Sequence, residues 1–137
     1  MSAQVAIIDG PLLETAGAWS VAEAGAIVTF AGVVRPTEDG RPLLALDYEA
    51  YEPMATKTLQ RIAAKHMDRF GLLGMSVEHS RGRVAVGACS FRLRVAARHR
   101  KEALDAMDTF IDELKRDAPI WKRPVFADAT STAETSS

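Results

Sequence analysis

"GAIVTFAGVVR", residues 25–35, is rich in Val, Ile and Phe and carries no charge until Arg35. β-Branched and aromatic side chains suit a pleated, covered surface, so this stretch reads as the strongest strand of the chain. Pro36 through Pro42 reads as a loop with a turn at Asp39-Gly40, and "LLALDYEAY" (43–51) alternates as a second strand. Residues 25–51 are therefore expected to form one long hairpin.

The segments on either side fill in the fold class. "QVAIID" reads as a short first strand ended by Gly10-Pro11, and "PLLETAGAWSVAEA" as a weakly patterned stretch holding a short helix or turn. Pro53 suits a first helical turn, and Ala55, Leu59, Ile62, Ala63 and Phe70 keep helical spacing up to Gly71 and Gly74. "MSVEHS" and "CSFRLRVA" read as strands joined by a glycine-containing connection at 82–87. A second helix spans about Arg98 to Lys115, with Ala103, Met107, Phe110, Ile111 and Leu114 as its buried stripe. "IWKRPVF" is a last short strand. The expected class is α+β: a mainly antiparallel sheet with long hairpins and two principal helices packed on it. Residues 1–126 form the single expected domain, and 127–137 a polar tail expected to be disordered.

With 137 residues, 47% hydrophobic and 26% charged, the chain matches one ordinary globular domain with room for a core. No apolar run approaches the roughly 18 residues of a membrane span, and "MSAQVAIIDG" has no basic or apolar leader pattern, so a cytoplasmic location without membrane association is expected. The single cysteine, Cys89, excludes an intrachain disulfide and a cysteine-rich zinc site. His66 and His79 lack partners at ligand spacing, so no metal site is expected.

Net charge is only −1, yet Arg81, Arg83, Arg92, Arg94, Arg98, Arg100 and Lys101 fall between His79 and Lys101 without one carboxylate. Such a block serves either as a solvated basic face or as a focused anion site. Its end, "RHRK" (98–101), opens the second helix, where the macrodipole disfavours cations; either an anion docks at the helix start, or the helix begins later, near Glu102, and these residues belong to the preceding loop. Few aromatics accompany the block, so nucleic-acid binding is not expected.

Other cations raise the same choice. Arg35 ends an uncharged strand beside Gly32, where a ligand could approach the backbone, although a strand-end Arg also simply turns to water. Phe30 reads as core or as a ligand platform. In "LKRDAPIWKRPVF" (114–126), Lys115 and Lys122 flank a turn stiffened by Pro119 and Trp121. Their amines serve either the helix C-terminus and solvent, or one reactive site where neighbouring cations or burial tune them.

Taken in order, "GAIVTFAGVVR", "LDYEAYEPMA", "HSRGRVAVG", "RHRKEALDAM" and "LKRDAPIWKR" resemble the large, catalytic subunit of molybdopterin synthase, from about Gly25 to Arg123. The resemblance implies an α+β subunit that forms a homodimer within a heterotetramer. It implies a small ubiquitin-like partner whose Gly-Gly C-terminus carries a thiocarboxylate. It also implies a sulfurtransferase of molybdenum cofactor biosynthesis, moving that sulfur to cyclic pyranopterin monophosphate to make the molybdopterin dithiolene. No cofactor is implied, because the partner supplies the sulfur. Lys115 and Lys122 match the family's catalytic lysines; Arg35, His99 and Arg100 match its substrate-pocket cations, and Phe30 a pocket-lining aromatic. The alternative is a non-catalytic module that holds a phosphorylated metabolite in the same basic pocket.

Overall fold

The computed structural model describes residues 2–128 and the backbone of residues 135–136. Ten elements follow in order: β1 (Ser2–Asp9), β2 (Ala26–Val33), β3 (Thr37–Glu38), β4 (Arg41–Ala50), α1 (Met54–Phe70), β5 (Gly74–Ala85), β6 (Cys89–Ala97), α2 (Arg100–Asp117), β7 (Ile120–Phe126) and β8 (Thr135–Ser136). Of the tail, residues 129–134 and 137 lie outside the described residues, and Thr135–Ser136 pair with β7 at Trp121 and Lys122.

The strands make one sheet in the order β2-β6-β5-β4-β7-β8, with β1 on β5 and β3 on β4. Only the β1–β5 pair is parallel. β5 changes partner along its length: residues 74–81 run beside β1 and residues 82–85 beside β4. Both helices belong to the main core: Leu59, Ile62 and Ala63 of α1 meet Ala103, Phe110 and Leu114 of α2 over Met75, Val77, Leu93 and Val95 of the sheet. A smaller core of Val34, Leu43, Leu46, Val84 and Phe126 lies beneath the β4–β5–β7 end. The α+β class with two helices on a mainly antiparallel sheet is thus observed.

The expected 25–51 hairpin is not. β2 pairs with β6, and β4 with β5 and β7, so two sheet neighbours separate the supposed hairpin arms. Asp39-Gly40 does make a turn, with φ of 51° and 73°, but it closes only the small β3–β4 flap. Positive φ at both central residues is what a type I′ two-residue hairpin loop requires. The expected connection at 82–87 is also shorter: β5 continues to Ala85, and the reversal lies at 86–88. Gly82, at φ 88°, sits within β5 where it passes from β1 to β4. Its missing Cβ permits the bend there instead of ending the strand.

Between Gly10 and Gly25 the structure has no helix but does have the expected turn, at Ala22-Glu23, with bends and a bridge from Leu12 to Cys89 before it. Arginines hold this segment to the sheet: Arg92 donates to the Leu13 carbonyl, and Arg94 donates to the Gly17 carbonyl at 2.9 Å while lying over the Trp19 ring.

Candidate functional site

Lys122 is placed by strand alternation. Ile120 of β7 is buried in the main core, so Lys122, two residues on, projects from the same helix-covered face. It stands directly opposite Tyr48 of β4 and is only 26% exposed. The flap brings Glu38, 17% exposed, to 3.9 Å from the Lys122 amine. Arg41 holds the flap down by a bidentate pair to Asp128 (2.8 and 3.0 Å) and by stacking 3.7 Å over Phe126. Arg35 is exposed at the root of this flap, between Val34, bonded to Ala88, and Pro36, bonded to Leu43.

A row of rings crosses the sheet from β2 towards Lys122. Phe30 lies 6.0 Å from Phe91, Phe91 5.8 Å from His79, and His79 edge-on 5.3 Å from Tyr48. Phe30 is half-buried at the edge strand, with the near edge of its ring against Gly32. Burial holds the His79 imidazole below its ordinary pKa of 6.5, and a bond between its Nδ1 and the Ser80 carbonyl (2.8 Å) opposes that shift. Because a carbonyl only accepts, Nδ1 carries the proton and Nε2 the lone pair. Burial also raises the Tyr48 phenol, whose hydroxyl donates to Ser90 Oγ at 3.0 Å.

Lys115 sits in the last turn of α2, exposed, and Ala118-Pro119 separate it from β7. Both lysines therefore flank one short turn. His99 and Arg100 do not join them within one chain. They follow Ala97, which opposes Ala26 at the start of β2, whereas Arg35 follows the far end, where Val33 opposes Cys89. The strand between spans roughly 25 Å. α2 itself carries the chain about 27 Å from His99 to its last turn. Both residues are exposed, and His99 is the extended N-cap of α2 with no side-chain capping bond.

The basic block proves largely answered by carboxylates from other elements. Arg81 pairs with Asp9, Arg83 with Asp47 and Arg92 with Glu78. Arg81 and Arg83 in turn hold the Asp9 and Asp47 carboxyls below the usual carboxylate range. Near α2, Arg98 faces Glu23 at 3.9 Å, His99 faces Glu102 at 3.8 Å and Lys101 faces Asp105 at 3.5 Å. Most of the block is thus paired within the fold, and Arg100 is exposed at the helix start with, among the described residues, no ion pair of its own. Cys89 is buried, its thiol donating to the Phe91 carbonyl at 3.3 Å. Among the described residues, no group of His, Cys, Asp and Glu is arranged to hold a metal ion, and no helix is long and apolar enough to cross a membrane.

Sequence reasoning missed Glu38, Tyr48 and the placement of His79. The Asp39-Gly40 turn marked the flap but not what it covers, and the Tyr48–Lys122 and His79–Tyr48 contacts join strands remote in sequence.

The two-helix α+β sheet thus presents a covered lysine beside a flap, with a second lysine across a short turn. The family model for MoaE protein matches residues 11–117, and the chain belongs to that family. It is 40% identical over 117 residues to the molybdopterin synthase catalytic subunit of Arabidopsis thaliana, a match covering 85% of this chain and 59% of that relative's length. Its fold is similar to that of molybdopterin synthase from Staphylococcus aureus, with TM-score 0.82, 28% identity and 96% of each chain covered. It is also similar to a chain in the complex of subunits 1 and 2 of molybdopterin-converting factor from Helicobacter pylori 26695, with TM-score 0.70, 26% identity, and 93% and 92% covered.

Proposed function

We propose that this chain is a molybdopterin synthase catalytic subunit, working in the cytoplasm as a sulfurtransferase. A small ubiquitin-like subunit brings a thiocarboxylate on its Gly-Gly C-terminus, and the sulfur passes to cyclic pyranopterin monophosphate. In each of two transfers a carbon–sulfur bond replaces a carbon–oxygen bond on the pterin side chain. The partner's thiocarboxylate becomes a carboxylate, so no resident cofactor is required. The observation that carries this reading is Lys122, a largely covered ammonium facing Tyr48, one short turn from Lys115. Fixed cations at a reacting acyl group stabilise developing oxyanions most strongly where water is excluded. Lys115 acts at the thiocarboxylate carbonyl; Lys122 orients the pterin.

Arg35, His99 and Arg100 supply the charge for the substrate phosphate, with Phe30 lining the cleft. Because His99 and Arg100 lie at the other end of β2 from Arg35, a homodimer that brings one copy's helix start to the other copy's lysines is the arrangement that unites them. The edge strand β2, with Ile27 and Val33 about half exposed, offers an apolar edge for such contact. Two small subunits on this homodimer make a heterotetramer, in keeping with the two-subunit complex of the Helicobacter pylori relative. Incubating the protein with thiocarboxylated small subunit and cyclic pyranopterin monophosphate tests the reading. Dithiolene product is expected; folded protein that binds both reactants and yields none would refute it.

A further inference from the structure

Glu38 runs against the charge of the cleft it faces. Both proposed reactants are anions, a cyclic phosphate and a thiocarboxylate, and a carboxylate beside them repels each. A local conflict of this kind calls for a compensating role. Glu38 is no stray surface charge: it is only 17% exposed, and its carboxylate forms an ion pair at 3.9 Å with the Lys122 amine, itself 26% exposed. Burial first, and the Glu38 charge in smaller part, raise the Tyr48 phenol, so the carboxylate stands near the residue that Lys122 opposes.

The flap holds that carboxylate in place. Glu38 lies opposite Arg41 across the Asp39-Gly40 turn. Arg41 pairs with Asp128 and stacks over Phe126, and the carbonyl of the next residue, Pro42, accepts from the Ala127 amide at 2.9 Å. These contacts tie the flap to the end of β7, the strand that carries Lys122. A lysine side chain is long and loses much rotamer freedom when it is immobilised. A counter-ion on a rigid support removes that freedom before substrate arrives, so the cost does not fall on the reaction. Lys122 has a further interaction besides this pair, so Glu38 does not rescue an otherwise unpaired charge. It sets where the ammonium rests. We propose that Glu38 is a positioning residue: held by the flap, its carboxylate fixes the Lys122 ammonium where it orients the pterin. This rests on the proposed function for the task of Lys122 and adds the residue through which the flap acts on it. Glu38 itself touches no reacting atom.

The test uses the full-length protein with Glu38→Gln, which keeps the shape and removes the charge, and Glu38→Asp, which keeps the charge on a shorter arm. Carbon-13 relaxation at the lysine Cε atoms, recorded before any substrate is added, reads the freedom of each amine. In the wild type Lys122 should be clearly more ordered than the exposed Lys115. In Glu38→Gln its order parameter should fall at least about halfway to that of Lys115, while Lys65, paired with Glu113, stays unchanged and reports an intact fold. Single-turnover dithiolene formation at saturating cyclic pyranopterin monophosphate should slow by about tenfold or more in Glu38→Gln and by less in Glu38→Asp. Affinity for that substrate should be unchanged or tighter, because a repelling charge has gone. Lys122 as ordered in Glu38→Gln as in the wild type overturns the assignment. So does a Glu38→Gln protein that turns over at the native rate, or one whose loss lies wholly in affinity. The relaxation measurement needs no turnover, which separates this inference from the reading it rests on. If Lys122 loosens in Glu38→Gln while the wild type forms no dithiolene, the sulfur-transfer reading fails alone; if dithiolene forms while the order of Lys122 ignores Glu38, this inference fails alone.

Discussion

Two lysines seven positions apart prove to differ in setting: Lys122 is largely covered beneath the flap and opposite Tyr48, and Lys115 is exposed at the end of α2. Because Lys115 is given the reacting acyl group, Lys115→Ala should slow dithiolene formation by about 100-fold or more. Affinity for the small subunit should change by no more than about threefold, as for an exposed substitution outside a core. A binding module for a phosphorylated metabolite would show the reverse pattern, weaker ligand binding with no turnover to lose, and single-turnover assays with a pull-down decide between them. His79 supplies a second residue-scale prediction. Its imidazole is held below the ordinary 6.5 by burial, so the unfolded chain takes up a proton that the folded chain refuses. Its contribution to stability is therefore complete above about pH 6.5 and is lost as pH falls below that value, by at most about 1.4 kcal/mol per pH unit. Urea unfolding at pH 7.5, 6.5 and 5.5 should show this decline, and His79→Gln should flatten it. The carboxyls of Asp9, Asp47 and Glu52, whose pKa values are lowered from 3.8, 3.8 and 4.5, act only at more acid pH. The candidate cations were legible because they break local rules or flank a stiff turn, whereas Glu38 and Tyr48 acquire meaning only through contacts that sequence order hides.

Among the elements, the strands and both helices were legible as local patterns, while their pairing was not. "GAIVTFAGVVR" is a strand for the reasons its residues suggest, yet its partner is β6, more than fifty residues away, not the next strand in the chain. Hydrophobic alternation fixes which face a strand covers but not which neighbour it takes. Gly82 misled in a related way, since a glycine inside a strand marks a bend as readily as a turn. Gly25 shows how closely β2 is set. A Cβ there would collide with the carbonyl oxygen of Arg98, a backbone atom that cannot turn aside, while the Gly25 amide bonds to Ala97 O at 3.0 Å. Gly25→Ala should accordingly cost about 1–3 kcal/mol and lower the thermal midpoint by several degrees. An unchanged midpoint by calorimetry would mean that the β2–β6 end is looser than described.

For the whole molecule, the decisive feature is that the cations assigned to one cleft lie at two ends of each chain. Arg35 and His99-Arg100 stand at opposite ends of β2, and α2 separates His99 from Lys115 by its own length. A sulfur-transfer site that uses all of them must draw on two copies. Co-expressed, differently tagged chains, one Lys115→Ala and the other Arg100→Ala, can be purified as a mixed dimer and assayed for dithiolene formation with the thiocarboxylated partner. Such a dimer contains one cleft with both native residues and one with neither. Its rate should recover to about half that of the native dimer, while each variant alone stays near zero. A mixed dimer no more active than the two variants apart would contradict the shared cleft, and with it the account of how this fold gathers its charge.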